Sequence, residues 1–161
     1  MTNPVKKINI LDAVKLFFKN YFNFTGRASR SEYWWFFLAY IIVAIVISIA
    51  EGLVIGIEYA GSGLASKIFS IAFMIGWLSL NARRLQDRGH TGWWQLAYLV
   101  PIIPIIYFMF LFLVAQNTAY GIALGLSVIL LIGILITLIV VCCLPPKEDE
   151  NKWGRNPLLL N

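Results

Sequence analysis

Four apolar runs, each close to the length that crosses a bilayer, occupy most of this chain. They cover residues 33–57, 62–84, 93–115 and 119–144. A membrane helix needs roughly 20 mainly apolar residues, so four helices and short flanks use up the 161 residues. Hydrophobic residues make up 60% of the chain and charged residues 13%. A soluble domain holds about half apolar and about one-quarter charged residues, so the bilayer is the expected solvent. Backbone amides and carbonyls in lipid must be satisfied within the chain, which favours helices. The expected fold is therefore all-α, a polytopic bundle of four transmembrane helices in a single membrane domain, 1–161.

The runs differ in strength. The first holds one charge, Glu51. In the second, only Ile68 to Leu80 is purely apolar, and spanning length requires Lys67, whose stem can carry its ammonium to the headgroups. The third contains Pro101 and Pro104. Only Gln116, Asn117 and Thr118 separate the third run from the fourth, which predicts a tight antiparallel hairpin.

Orientation follows from the basic residues. Lys6, Lys7, Lys15, Lys19, Arg27 and Arg30 precede the first span. Arg83, Arg84 and Arg88 lie between the second and third, and Lys147, Lys152 and Arg155 follow the fourth. Of the 13 Lys and Arg residues, only Lys67 falls on the other side. The positive-inside rule then places both termini, including the 145–161 tail, in the cytoplasm. Tryptophans agree with this. Trp34, Trp35, Trp93 and Trp94 open the first and third spans at the inner interface, where indoles anchor, and Trp77 lies about one turn from the inner end of the second span.

Ahead of the first span, residues 10–24 predict an amphipathic helix. Ile10, Val14, Phe17, Phe18 and Tyr21 recur at helical spacing, with Asp12, Lys15 and Lys19 on other faces. It either lies in the plane of the cytoplasmic headgroups or packs on the inner face of the bundle. The length of the first run and the residues before it argue against a cleaved signal.

Three stretches stand out at the inner ends of the spans. They are Gly26-Arg27-Ala28-Ser29-Arg30-Ser31-Glu32-Tyr33-Trp34, Arg83-Arg84-Leu85-Gln86-Asp87-Arg88-Gly89-His90-Thr91-Gly92-Trp93-Trp94, and Asn151-Lys152-Trp153-Gly154-Arg155-Asn156-Pro157. Together they resemble the YhaH-like bacterial inner-membrane proteins, a family catalogued as a domain of unknown function. The resemblance implies a bacterial plasma-membrane location and brings no activity with it. Family members usually carry His where this chain has Gln86.

The residues themselves suggest physical roles. Ser29-x-x-Glu32 ahead of an apolar run is a capping-box pattern, so the first span should start at Arg30. Gly26 permits a turn before it. Arg83 and Arg84 sit four and three residues from Asp87, within reach on a helix, and Gly89 can end that helix. Arg27, Arg30, Glu32, Arg83, Arg84, Asp87 and Arg88 then form a candidate polar cluster on the cytoplasmic face. Glu32 or Asp87 should contact an arginine of the other stretch, and the positive excess suits anionic lipid. The alternative is a set of charges that fixes only topology and helix ends.

Within the bilayer, Glu51 is the one intramembrane acid and a functional candidate on that ground. It could also face water or Lys67 at the outer end of its span. Gly52 and Gly56, and Gly121 and Gly125, form two Gly-x-x-x-Gly pairs at matched depth, which predicts close packing of the first and fourth spans or of two chains. Two prolines predict a kinked third span.

Most enzyme classes fail on inventory. The chain has one His and two adjacent cysteines, Cys142 and Cys143, too few for a usual zinc site. No nucleophile elbow or phosphate-binding Gly-rich loop occurs, and no further Asp accompanies Asp87 at metal-binding spacing. The basic residues border the membrane, which disfavours nucleic acid. The reading is non-enzymatic, with no catalytic residues, cofactor or metal: an accessory, interaction or envelope-sensing subunit. Its partners would be the bilayer, anionic lipids, and a membrane protein or a second copy. The alternative is a small oligomeric transporter or channel using Glu51 and the third span.

Overall fold

A computed structural model describes residues 7–159. Lys6, counted above with the inner basic residues, lies outside them. Among the described residues the chain is helical except for one short hairpin. Its elements are α1 (Ile10–Lys19), α2 (Arg30–Ile55), α3 (Leu64–Asp87), α4 (Leu99–Ala115), α5 (Thr118–Cys143), β1 (Glu150–Asn151) and β2 (Gly154–Arg155). Short 3₁₀ turns, Ile57–Tyr59 and Gly92–Tyr98, precede α3 and α4. Four segments are long and apolar enough to cross a membrane: Arg30–Ile55, Ile57–Asp87, Gly92–Ala115 and Thr118–Cys143. Their outward faces carry Ile42, Val43, Val46, Leu53, Ile103, Phe110, Ile129 and Ile136, all exposed within the chain. Such continuous apolar surface exceeds anything a soluble monomer shows to water.

The chain forms two compact units, Met1–Gly92 with Pro145–Asn161, and Trp93–Leu144. In the first, α1 packs on α2 and α3. Asn9 caps α1 by accepting the Asp12 amide at 2.8 Å, and Ala13 and Phe17 are fully buried. Phe17 stacks on Phe36 with ring centroids 3.7 Å apart and also meets Phe73 and Tyr21. Gly76 makes this possible: a Cβ there would stand 2.3 Å from Phe17 and 2.6 Å from Tyr21. Of the two placements open for the first helix, the face bearing Ala13 and Phe17 takes the bundle. The opposite face leaves Leu11, Phe18 and Phe22 exposed. The helix also stops earlier than predicted. Asn20 donates from both its backbone and its side chain to the Leu16 carbonyl and closes the last turn.

The first span starts at Arg30, as the capping pattern implies. Ser29 Oγ accepts the Glu32 amide at 3.1 Å, and the Ser29 amide bonds back to the Glu32 carboxylate. It ends at Ile55, because Gly56 turns away with φ +112°. The second span runs three residues beyond its expected C-terminal end, to Asp87. Arg88, Gly89 (φ +81°) and His90 close it, with the Gly89 amide on the Gln86 carbonyl and the His90 amide on the Leu85 carbonyl. This is the Schellman pattern, which a left-handed glycine permits. Trp77, expected near the interface, is only half-buried. It packs in the α2–α3 seam against Tyr33, Phe36, Phe37 and Tyr40.

In the second unit α4 and α5 form the expected hairpin. Gln116 adopts a left-handed conformation, φ 50°, and Asn117 caps α5 by accepting the Ala119 amide at 2.9 Å. The third span is α-helical only from Leu99. Pro101 therefore falls in the first helical turn, where its missing N–H removes no intrahelical bond. Pro104 alone lies inside the helix. Cys142 is buried and Cys143 exposed, both as free thiols.

The paired glycines serve local purposes. A Cβ on Gly52 would meet Ala60 and Ile57 in the α2–α3 connection, and Gly56 is the cap of α2. A Cβ on Gly121 would meet Phe112 of α4, and one on Gly125 would meet nothing within 4 Å. Within each unit, Gly52 and Gly56 thus serve the α2–α3 connection and Gly121 serves the α4–α5 hairpin.

Candidate functional site: a buried ion-pair cluster

The start of α2 and the end of α3 carry a cluster of buried charges. Through Gly26 (φ +108°) the backbone turns so that the Ala28 amide reaches the Arg83 carbonyl at 3.1 Å. This lays residues 27–29 along the last turns of α3. Three ion pairs follow. Arg27 Nε contacts Asp87 Oδ1 at 2.8 Å, Arg83 Nη1 contacts Glu32 Oε1 at 2.8 Å, and Arg84 Nη1 contacts Asp87 Oδ2. Arg84 is fully buried, and Asp87, Arg83 and Glu32 are 1%, 2% and 3% exposed. Each carboxylate thus meets an arginine of the other stretch. The helical neighbours also separate: Arg84 pairs with Asp87, whereas Arg83 turns to Glu32. Arg30 is exposed at the start of α2. Arg88 sits at the C-cap of α3 and donates to the Pro145 carbonyl.

Neutral polar groups extend the cluster. Arg84 Nη1 also donates to the Ala28 carbonyl at 3.2 Å, and Gln86 Nε2 donates to the Phe24 carbonyl at 2.9 Å. Tyr33 donates its hydroxyl proton to Asn81 Oδ1, and Ser79 donates to the Asn20 carbonyl. Buried ionic groups cost several kcal/mol each in desolvation, on the order of magnitude measured in proteins, unless paired and hydrogen-bonded. Here the pairing is nearly complete. The exceptions are single atoms of Gln86 (Oε1) and Arg88 (Nε), and a whole edge of Arg83, whose Nε and Nη2 are both buried without a partner among the described residues.

The tail contributes what the sequence reading left out. Residues 145–161 were expected only as a cytoplasmic tail. Instead β1 and β2 pair antiparallel, Glu150 opposite Arg155 and Asn151 opposite Gly154. The Trp153 amide donates to Asn151 Oδ1, and Gly154 takes φ +116°. This hairpin delivers backbone carbonyls to the Arg27 guanidinium. Nη2 donates to Glu148 at 2.8 Å, and Nη1 donates to Gly154 at 3.0 Å and Asp149 at 3.3 Å. Asn151 Nδ2 adds a bond to the Gln86 carbonyl. The Asn-x-x-Gly spacing was the available signal, because it marks a turn. The carbonyl ligands carry no side-chain signature.

The intramembrane acid has a structural partner. Glu51 is 7% exposed. It accepts from the Ser66 amide at 2.9 Å, the Ser66 hydroxyl at 2.6 Å and the Gly63 amide at 3.2 Å. A carboxylate from α2 thereby satisfies the open amides at the start of α3, and its charge complements that helix dipole. The tryptophans expected as interface anchors differ in burial. Trp34 is half-buried, while Trp35, Trp93 and Trp94 are exposed.

An all-helical chain with four such apolar segments and this inward-turned polar end is an integral membrane protein. Residues 21–122 match the family described as "Protein of unknown function (DUF805)", and the chain belongs to that family. It is 36% identical over 85 residues to the inner membrane protein YhaH of Escherichia coli K12, covering 53% of this chain and 70% of that protein. It is 39% identical over 85 residues to the inner membrane protein YhaI of the same strain, covering 53% and 69%. No solved structure matches it.

Proposed function

We propose that this protein is a non-enzymatic accessory or envelope-sensing subunit of the bacterial inner membrane, presenting a rigid cytoplasmic face to a membrane-protein partner, a second copy or anionic lipid. One observation carries the reading. Three stretches far apart in sequence are joined by Arg27–Asp87, Arg83–Glu32 and the Arg27 contacts to the tail. Such pairing fixes a surface in one geometry. Arg30 and Trp35, exposed at the start of α2 beside it, would meet lipid or protein. The basic-residue asymmetry supports a cytoplasmic location for both termini. The outward face of α1, with Leu11, Lys15 and Phe18, and Phe22 just beyond it, suits the adjacent headgroups. The transporter reading rests on Glu51 and the Pro-kinked third span; the Glu51 carboxylate is engaged at the start of α3, which weighs against the first of these.

Topology and partnership are tested together. In a background without Cys142 and Cys143, an impermeant maleimide should label Ser62→Cys and Asn117→Cys from the periplasm. It should reach His90→Cys and Trp153→Cys only after permeabilisation. Crosslinking and co-purification in mild detergent should then yield a stoichiometric complex that Arg30→Glu weakens. Cytoplasmic labelling of Ser62→Cys overturns the arrangement. Solute flux in proteoliposomes that Glu51→Gln abolishes, with no complex, favours the transporter.

A further inference from the structure

Beside the ion-pair cluster lies a cavity of about 250 Å³. Its walls include Asn20, Asn23, Thr25, Arg27, Glu32 and Arg83. Asn23 and Thr25, in the turn between α1 and α2, are exposed, whereas Arg83 is 2% exposed. The cavity therefore leads from the surface toward a buried guanidinium. That guanidinium is incompletely used: Glu32 takes Nη1, while Nε and Nη2 have no partner among the described residues. Buried donors in folded proteins almost always have partners, so such an orphan pair points to a missing acceptor. Charge agrees. The cluster buries three arginines, Arg27, Arg83 and Arg84, against two carboxylates, Glu32 and Asp87, leaving one positive charge unmatched. The Nε and Nη2 edge of an arginine presents two parallel donors, the geometry that takes two oxygens of one oxyanion. The volume is below the roughly 300–1,000 Å³ of drug-sized ligand pockets, so it suits a single small group.

We propose that this cavity binds a phosphoryl group, held by the free edge of Arg83 with Asn23 and Thr25 at the mouth. This rests on the reading of the cluster as an inner-face recognition site, and it names the chemistry recognised. The group reaches the cavity either on the headgroup of an anionic phospholipid or as free phosphate.

The full chain, delipidated in detergent, is titrated with inorganic phosphate and followed by ³¹P NMR and thermal shift. In parallel it is placed in nanodiscs of phosphatidylcholine with or without phosphatidylglycerol, and retained lipid is read by native mass spectrometry. Saturable phosphate binding assigns the free ion. Selective retention of phosphatidylglycerol without phosphate binding assigns the headgroup. Two variants locate the site. The pair Arg83→Met with Glu32→Gln removes the fork and keeps the charge balance. Thr25→Trp fills the mouth and leaves every ion pair intact. Each should weaken the observed binding at least ten-fold, with the ligand-free melting curve of Thr25→Trp unchanged. Binding in neither arm, or binding that both folded variants retain, overturns the proposal. That failure leaves the partner reading standing, because labelling and crosslinking test it without phosphate.

Discussion

Replacing Asp87 with alanine should be the most damaging single change on the inner face. Its carboxylate bridges Arg27 and Arg84, whose side chains are 1% and 0% exposed. Removing one partner of a buried ion pair costs about 3–5 kcal/mol, because the charge left behind remains desolvated. Two features set the value in this range. Arg27 keeps three tail carbonyls and Arg84 keeps the Ala28 carbonyl, so neither guanidinium loses all its acceptors. Yet one alanine strands both cations at once. The expected loss corresponds to roughly two to three and a half powers of ten in the folding equilibrium. Reversible unfolding by SDS in mixed micelles, read by tryptophan fluorescence, measures it. Asp87→Asn, which retains an acceptor for Arg27, should lie at the lower end. Arg30→Ala, at an exposed position, should stay within about 0.5 kcal/mol. Added salt should change none of these differences much, because screening acts weakly on buried pairs. If Asp87→Ala unfolds no more readily than Arg30→Ala, the cluster is not a buried, paired unit and the reasoning fails.

Two further substitutions probe other supports. Gly76→Ala places a methyl where Phe17 and Tyr21 already stand. It should cost about 1–3 kcal/mol, as overpacking does, and speed amide exchange across 10–19; unchanged exchange would mean that α1 is not seated there. Glu51→Ala removes the acceptor for the Ser66 and Gly63 amides and should cost about 1–2 kcal/mol, as a lost helix cap does. Slowed exchange or no change across the first turn of α3 would contradict that role.

The sequence makes the spans legible because lipid imposes one rule along their whole length. Apolar residues continue until charge, Gly or a cap intervenes, so four segments can be read from composition and a length of 23 to 26 residues alone. The capping box at Ser29 and Glu32 and the stop at Gly89 are equally local, since each is a few residues acting on their own backbone. The partners across the cluster follow from antiparallel connectivity. What escaped reading depends on atoms without a side-chain signature. The tail holds Arg27 through carbonyls, and the seat of α1 is the missing Cβ of Gly76. Glu51 was ambiguous for a related reason. An acid near the end of one helix reads the same whether it faces water or the first amides of the next. The Gly-x-x-x-Gly pattern is likewise ambiguous, because glycine also serves turns and caps, and Gly56 does so here.

The grip of the tail on Arg27 also has a consequence for biogenesis. Arg27 leaves the ribosome long before Glu148, Asp149 and Gly154, and Trp93–Leu144 must be made and threaded in between. Until those last carbonyls arrive, both terminal nitrogens of an otherwise buried guanidinium lack their final acceptors. The contacts that seal Arg27 therefore form only after translation has passed Gly154 and the β1–β2 hairpin has come to lie against it. A nascent chain stalled before residue 148 should expose that end to protease more than one that carries the hairpin.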